Sequence, residues 1–455
     1  MIRIILVSLL LLLTYFAYYH VSIFSEIIVC VSYFILVLYT WRCLKRDPVS
    51  LLSLLLLFAL IRWLTTGFLK IAFGKYPVYP IFGSFTKESQ IRGYLLGLMG
   101  VLSIILGWNW IKTSRNPVQK YSGRDYVLSS FFAAVFWWLI GCLFLASYIG
   151  ANTNWRLLES LEAGFFRSID IKEGTGFFFY MGFFALTSSV YLVTLTINWK
   201  RNLRLKIIAF GSLIITFLLY MTLGGRARAL TPIFAVLIAV AVARRRAIRI
   251  RAKEILMVLV IAFVILIYLF FGLMYRGGWG LRITFKDFAQ FIGENAEYLI
   301  WKEIGHDHIL SAITMLPEGI LGPFSLIPAG PLKGLVGSSL ESQSGGVFLV
   351  QIYGHAGQKP WGALVSAVGD IYLAAGVLWV AIICVIFGVI GKLIYSLKPK
   401  SYNHPWIASL YGLCTVYWLR IYLEKWGRWF EMFVVLICLL TIWLSQKLFE
   451  DIIKK

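Results

Sequence analysis

The chain has 455 residues, of which 60% are hydrophobic and only 14% charged, and its mean hydropathy is +0.81; a soluble protein carries about one quarter charged residues. A formal net charge of +22 would point to nucleic acid in a soluble domain, but here the basic residues fall in short loops between apolar runs, where Lys and Arg set membrane topology. Composition therefore excludes a soluble nucleic-acid-binding protein and leaves an all-α polytopic membrane protein, because runs of eighteen or more apolar residues read as transmembrane helices.

In chain order, Met1, Ile2 and Arg3 followed by leucines look at first like a signal peptide. No small-residue cleavage site follows and a second apolar run comes at once, so the segment reads as a retained helix. Twelve spans are expected, at roughly 3–19, 21–40, 49–69, 92–111, 126–149, 176–197, 207–223, 229–243, 255–275, 371–394, 404–423 and 428–446. Residues 1–455 form a single integral membrane domain on this reading, with no internal repeat and no separate soluble domain. Alternate loops are basic: Arg42, Lys45 and Arg46; Lys112, Arg115, Lys120 and Arg124; Lys200, Arg201, Arg204 and Lys206; Arg244, Arg245, Arg246, Arg249, Arg251 and Lys253; Lys392, Lys398 and Lys400. With Arg3 and the tail lysines Lys447, Lys454 and Lys455, this alternation puts both termini in the cytoplasm. Residues 276–360 then form one large outer loop containing short helices, long enough to be functional. Within it, 284–301 has an apolar face suited to the membrane surface, as has 155–165 in a smaller outer loop.

The six cysteines form no CxxC and sit almost entirely in apolar spans, so neither a disulfide framework nor a zinc site is expected. His306 and His308 form an HxH pair, but without a further spaced ligand a metal is not expected. No cofactor is implied either, because no phosphate-binding or nucleophile-elbow motif stands in a suitable context.

Two constellations carry candidate chemistry. The first is a set of arginines on the outer side, where Lys and Arg are scarce: Arg226 and Arg228 in the turn Gly224-Gly225-Arg226-Ala227-Arg228, Arg276 and Arg282 after span nine, and Arg420 and Arg428 flanking the turn between the last two spans. Guanidinium groups recognise phosphate oxygens in a bidentate fork. The alternative is that each arginine snorkels to headgroups or pairs with an acid such as Glu424 or Glu431. The second constellation is His355 with Asp370, at the outer entrance of span ten. Either is a candidate general base, and an acid at that depth in an apolar helix is a functional candidate by default. Asp370 could instead pair with an outer arginine. Glu26 and Arg62, within spans two and three, are expected to pair with each other in a structural role.

These motifs resemble those of the Wzy-type polysaccharide polymerases, which include O-antigen polymerases. The resemblance rests on the stretch from Tyr220 through Gly224, Gly225 and Arg226, on the large outer loop with Leu316-Pro317, Ile327-Pro328 and Gly354-His355 leading into Val368-Gly369-Asp370-Ile371-Tyr372, and on the closing helix pair with Arg420 and Arg428. It covers roughly residues 205–446; the first two hundred residues match only as hydrophobic spans. It implies a glycosyltransferase of the bacterial inner membrane that joins oligosaccharide repeat units carried on undecaprenyl pyrophosphate at the outer face. The outer arginines would bind pyrophosphate, and His355 or a carboxylate would activate the acceptor hydroxyl. The partners implied are the lipid-linked oligosaccharide, membrane lipids, a chain-length regulator and a flippase. Two other readings stay open: an O-antigen ligase using the same donor, and a transporter or flippase, which should show charged residues at the bilayer midplane or broken helices.

Overall fold

A computed structural model describes residues 2–74, 85–111, 124–153, 176–197, 203–221, 226–243, 307–326 and 366–454. Among them every regular element is helical. Eight helices among the described residues are long and apolar enough to cross a membrane, and Ile4–Tyr19 and Arg228–Ala243 are shorter apolar helices. Their outward faces carry Leu12, Phe34, Leu38, Trp41, Ile207, Leu378 and Leu448, all exposed. So much apolar surface is suited to lipid rather than water.

The chain divides into two compact units. The first comprises Met1–Ser114, Phe291–Ser396 and Tyr417–Glu431, the second Arg115–Gln290, Leu397–Val416 and Met432–Lys455.

The first unit begins with α1 (Ile2–Tyr19), α2 (Ile23–Arg46) and α3 (Leu51–Ala59). The Ser22 N–H donates to Ser25 Oγ at 3.2 Å in the first turn of α2, and Lys45 and Arg46 in its last turn oppose the helix dipole. Ser50 caps α3, its Oγ accepting the Ser53 N–H at 3.1 Å. From α3 the chain passes through a π-helical turn, Leu60–Leu64, into α4 (Thr65–Phe73), which ends on left-handed Gly74. Thr86 then caps α5 (Lys87–Trp110) through the Ser89 N–H at 3.1 Å.

α5 is buried along most of its length, as befits a helix surrounded by other helices rather than facing lipid. It packs against α1, against α11 (Asp307–Ile313) and most extensively against α13 (Val377–Ser396). The α5–α13 approach is reciprocal: a Cβ on Gly107 would strike the Val385 carbonyl and one on Gly388 the Ile104 carbonyl. Small residues let apolar helices touch backbone to backbone, the packing that stands in for the hydrophobic effect inside a bilayer.

The tenth expected span is not continuous. α12 (Ser366–Ala375) stops at Gly376, whose φ is +89°, and α13 resumes at Val377. Glu318 stabilises the break by accepting the Val377 N–H at 3.1 Å, where a carboxylate also favours the positive end of α13. The last carbonyls of α12 receive N–H groups from the 316–322 segment: Gly319 to Tyr372 at 3.1 Å and Leu321 to Leu373 at 2.9 Å.

In the second unit, α6 (Arg124–Thr153) packs on α7 (Gly176–Met181) and α8 (Phe183–Ile197), followed by α9 (Leu203–Met221) and α10 (Arg226–Ala243). Trp138 Nε1 donates to Thr216 Oγ1 at 3.1 Å and Trp137 Nε1 to Ser445 Oγ at 2.9 Å. Two of the borders between the units fall inside helices, α14 (Pro405–Leu423) and α15 (Trp429–Lys454). Span nine, the apolar faces at 155–165 and 284–301 and the basic loop at 244–253 lie outside the described residues.

Candidate functional site

The last two helices of the chain are joined by a turn at 424–428, and the charged residues of that turn fold back on one another. Arg420, one turn from the end of α14, and Glu424 stand i, i+4. Arg428 follows Glu424 at the same spacing, and Glu431 in the first turn of α15 follows Arg428 at i, i+3, so all four side chains can meet. Arg420 grips Glu424 with two parallel bonds, Nε to Oε1 at 2.9 Å and Nη2 to Oε2 at 3.0 Å. Arg428 Nε donates to Glu424 Oε2 at 2.9 Å, and Arg428 Nη1 donates to Glu431 Oε1. Arg420 Nη1 lies 3.6 Å from Glu431 Oε2. Arg420, Glu424 and Glu431 are buried, and Arg428 nearly so.

Removing four charges from water is expensive, and the geometry that repays it is the bidentate, multiply bonded kind seen here. Burial by itself would raise the Glu424 carboxyl, but the Arg420 and Arg428 guanidiniums outweigh it and hold it below the usual glutamate range. The pairing with Glu424 and Glu431 is thus the arrangement these two arginines adopt.

The turn is tied to the start of α12. Trp426 N–H donates to Asp370 Oδ2 at 2.8 Å, and Ser366 N–H donates to the Glu424 carbonyl at 3.0 Å. Ser366 itself sits at φ +64°, a left-handed conformation unusual for a serine, while its Oγ accepts the Gly369 N–H at 3.3 Å. A strained residue held by surrounding bonds is the kind that gathers at functional sites. Asp370 therefore lies buried against the arginine turn, as a hydrogen-bond acceptor for its backbone. An aromatic shell encloses this end of α14. Phe387 stacks on Trp418 with centroids 4.6 Å apart and planes 8° from parallel, and Trp429 meets Phe387 edge-on at 5.7 Å.

Glu26 does not reach Arg62. It pairs with Lys87 at 2.7 Å, because the first turn of α2 stands beside the first turn of α5. Arg62 instead projects from the π-helical turn. Its neighbour Trp63 meets the Tyr422 ring edge-on at 5.2 Å, which brings the turn to the end of α14, two positions from Glu424. The sequence carries no mark of this neighbour.

A second feature escaped the sequence reading. Asp307, the residue between His306 and His308, forms a buried ion pair with Lys70 of α4, with Nζ 2.9 Å from Oδ1 and 2.7 Å from Oδ2. All seven residues of α11 are buried. The helix backs onto Gly93 so closely that a Cβ there would lie 2.7 Å from the Ser311 nitrogen. His308 is buried with it, and among the described residues no group of three metal-ligating side chains converges.

In the second unit, Arg226 opens α10 and Arg228 follows two residues on. The Arg228 guanidinium lies 4.7 Å over the Phe179 ring, in a half-buried setting where such a contact is worth up to about 2 kcal/mol. Arg276, Arg282, His306 and His355 lie outside the described residues. The structure thus brings Arg420, Arg428 and Asp370 to one turn and places Arg226 and Arg228 together on α10.

No family model matches the chain, and no curated protein or solved structure matches it either.

Proposed function

We propose that the chain is a membrane glycosyltransferase of the Wzy type, joining oligosaccharide repeat units carried on undecaprenyl pyrophosphate at the outer face of the bacterial inner membrane, with both termini in the cytoplasm. The observation that carries the reading is the buried turn 424–428, where Arg420 and Arg428 stand beside Asp370 at the end of an apolar helix. Arg226 and Arg228 on the glycine–glycine–arginine turn support it independently.

In the proposed reaction, an acceptor sugar hydroxyl forms the new bond to the donor's anomeric carbon. The anomeric C–O bond to pyrophosphate breaks, the hydroxyl proton passes to His355 or a carboxylate such as Asp370, and undecaprenyl pyrophosphate leaves. The resemblance assigns stabilisation of the charge that builds on pyrophosphate to outer arginines, for which Arg226, Arg228, Arg276, Arg282, Arg420 and Arg428 are the candidates in this sequence. A chain-length regulator and a flippase are the partners this role requires.

The test is the glycan ladder of cells carrying the chain or Arg228→Ala. Loss of long glycan on undecaprenyl pyrophosphate, with the variant still in the membrane, is expected. Normal ladders from Arg226→Ala, Arg228→Ala and Arg428→Ala together would refute the pyrophosphate role, and loss of glycan from lipid A alone would move the assignment to a ligase.

A second reading has its own support. The helix break at Gly376 and the buried Lys70–Asp307 pair between α4 and α11 match the discontinuous helices and intramembrane charges of transporters. Proteoliposomes that move a fluorescent lipid-linked oligosaccharide between leaflets without lengthening it would favour a flippase.

A further inference from the structure

The π-helical turn Leu60–Leu64 interrupts an apolar span, its closing bond running from the Thr65 N–H to the Leu60 carbonyl. Single π turns inside α-helices are rare and gather at functional sites. This one carries Arg62, the one charged residue in the stretch 54–69. The Trp63–Tyr422 ring contact fixes the turn against the last residues of α14, two positions from Glu424.

Arg62 is half-buried, and its Nε is shut from solvent with no hydrogen-bond partner among the described residues. Glu424, the acid two positions beyond Tyr422, already accepts two bonds from Arg420 and one from Arg428. A carboxylate has about four lone-pair sites, so Glu424 has little left to offer. Arg420 and Arg428 balance Glu424 and Glu431 in charge. Lys425 and Asp370, which border the same turn, add one charge of each sign. Among the described residues Arg62 is then the excess cation around this turn, and an arginine guanidinium is not deprotonated in proteins. An excess charge held in an apolar helix calls for a counter-charge.

We infer that Arg62 and the Arg420–Glu424–Arg428–Glu431 cluster form one binding site for a phosphoryl group, in which Arg62 makes the primary contact and the two paired arginines hold the site in shape. The phosphoryl oxygens could belong to the lipid pyrophosphate of the proposed donor, in which case the inference rests on that reading, or to a phospholipid headgroup. Either presents oxygens that can accept two parallel N–H bonds from a guanidinium, which Glu424, already held by Arg420 and Arg428, does not supply.

The experiment uses the full chain in micelles of a maltoside detergent, which carries no phosphate, comparing wild type with Arg62→Met and Arg62→Gln. The probes are inorganic pyrophosphate in solution and, separately, phosphatidylglycerol mixed into the micelles. Thermal unfolding is the readout, because a ligand that binds only the folded state raises the midpoint with concentration. Wild type is expected to gain several degrees from at least one probe. Both variants should lose that gain while unfolding at or above the wild-type midpoint without probe, since each removes an uncompensated charge. A gain from pyrophosphate identifies the soluble phosphoryl group as the ligand class, and a gain from phosphatidylglycerol alone identifies a lipid headgroup. No gain in wild type with either probe, or equal gains in wild type and Arg62→Met, overturns the inference. Should Arg62→Gln fail to fold, Arg62→Met, an apolar replacement in an apolar helix, still decides it. The assay contains no glycan, so failure of the polymerase reading leaves its result intact, and the glycan ladder is judged separately.

Discussion

Replacing Asp307 by Leu removes the carboxylate that faces Lys70 Nζ at 2.7 and 2.9 Å, with the two side chains 4% and 0% exposed. Taking away one member of such a pair leaves the other charge in a low-dielectric interior, which costs about 3–5 kcal/mol. Lys70→Met removes the other member and carries a cost of the same order. Replacing both by apolar residues removes the unpaired charge altogether, and pairs treated this way elsewhere come out neutral or more stable by about 1–4 kcal/mol. The Lys70→Met/Asp307→Leu double variant should therefore stand within about 1 kcal/mol of wild type, or above it, although each single variant falls well below. Equilibrium unfolding in mixed detergent micelles, run as a double-mutant cycle, measures the three differences against wild type. Single variants that each cost less than about 1 kcal/mol, or a double variant as unstable as the worse single one, would refute the claim that this pair holds α11 in the bundle.

Acid sensitivity follows from Glu424. Its carboxyl is held below its ordinary value of 4.5 in the folded chain, so the stability it contributes is complete above that pH and is lost as pH falls through the folded value. Unfolding midpoints recorded from pH 6 downward should drop more steeply for wild type than for Glu424→Gln; parallel curves would contradict this. Gly376→Ala places a Cβ 2.8 Å from Glu318 Oε2 at a φ of +89°. It should cost about 1–3 kcal/mol, seen as a lowered thermal midpoint, whereas Gly211→Ala, inside α9 with open space around the added Cβ, should raise the midpoint slightly. Gly93→Ala should destabilise more than Gly97→Ala, because the first meets the Ser311 backbone and the second only the end of the Leu310 side chain.

The helices were legible in the sequence because unbroken apolar runs admit few other readings, and the pairing of Arg420 and Arg428 was foreseeable from i, i+4 and i, i+3 spacing to Glu424 and Glu431. Contacts between distant segments were not legible. Lys70 and Asp307 lie 237 positions apart, and no local pattern links a lysine ending one apolar run to an aspartate between two histidines. Glu26 and Arg62 looked like partners because both interrupt apolar spans, but Glu26 sits in the first turn of α2 beside Lys87, whereas Arg62 is carried on a turn whose π winding its residues do not announce. The break at Gly376 was hidden for a related reason. Ala374, Ala375, Gly376 and Val377 read as a continuous apolar span, and the residue that makes the break stable, Glu318, belongs to another segment.

The burial of α11 has a consequence for how the protein is made. Lys70 reaches the membrane as part of an early span, and Asp307 is synthesised 237 residues later. At roughly 5–20 residues per second that interval is about 10–50 s. Throughout it the growing protein must shelter a lysine whose counter-charge does not yet exist, near the water interface or inside the insertion machinery. The packing of α4 and α5 around this charge therefore cannot be completed until α11, a short helix from the far half of the chain, has been made and has come to lie against Gly93 and Gly97.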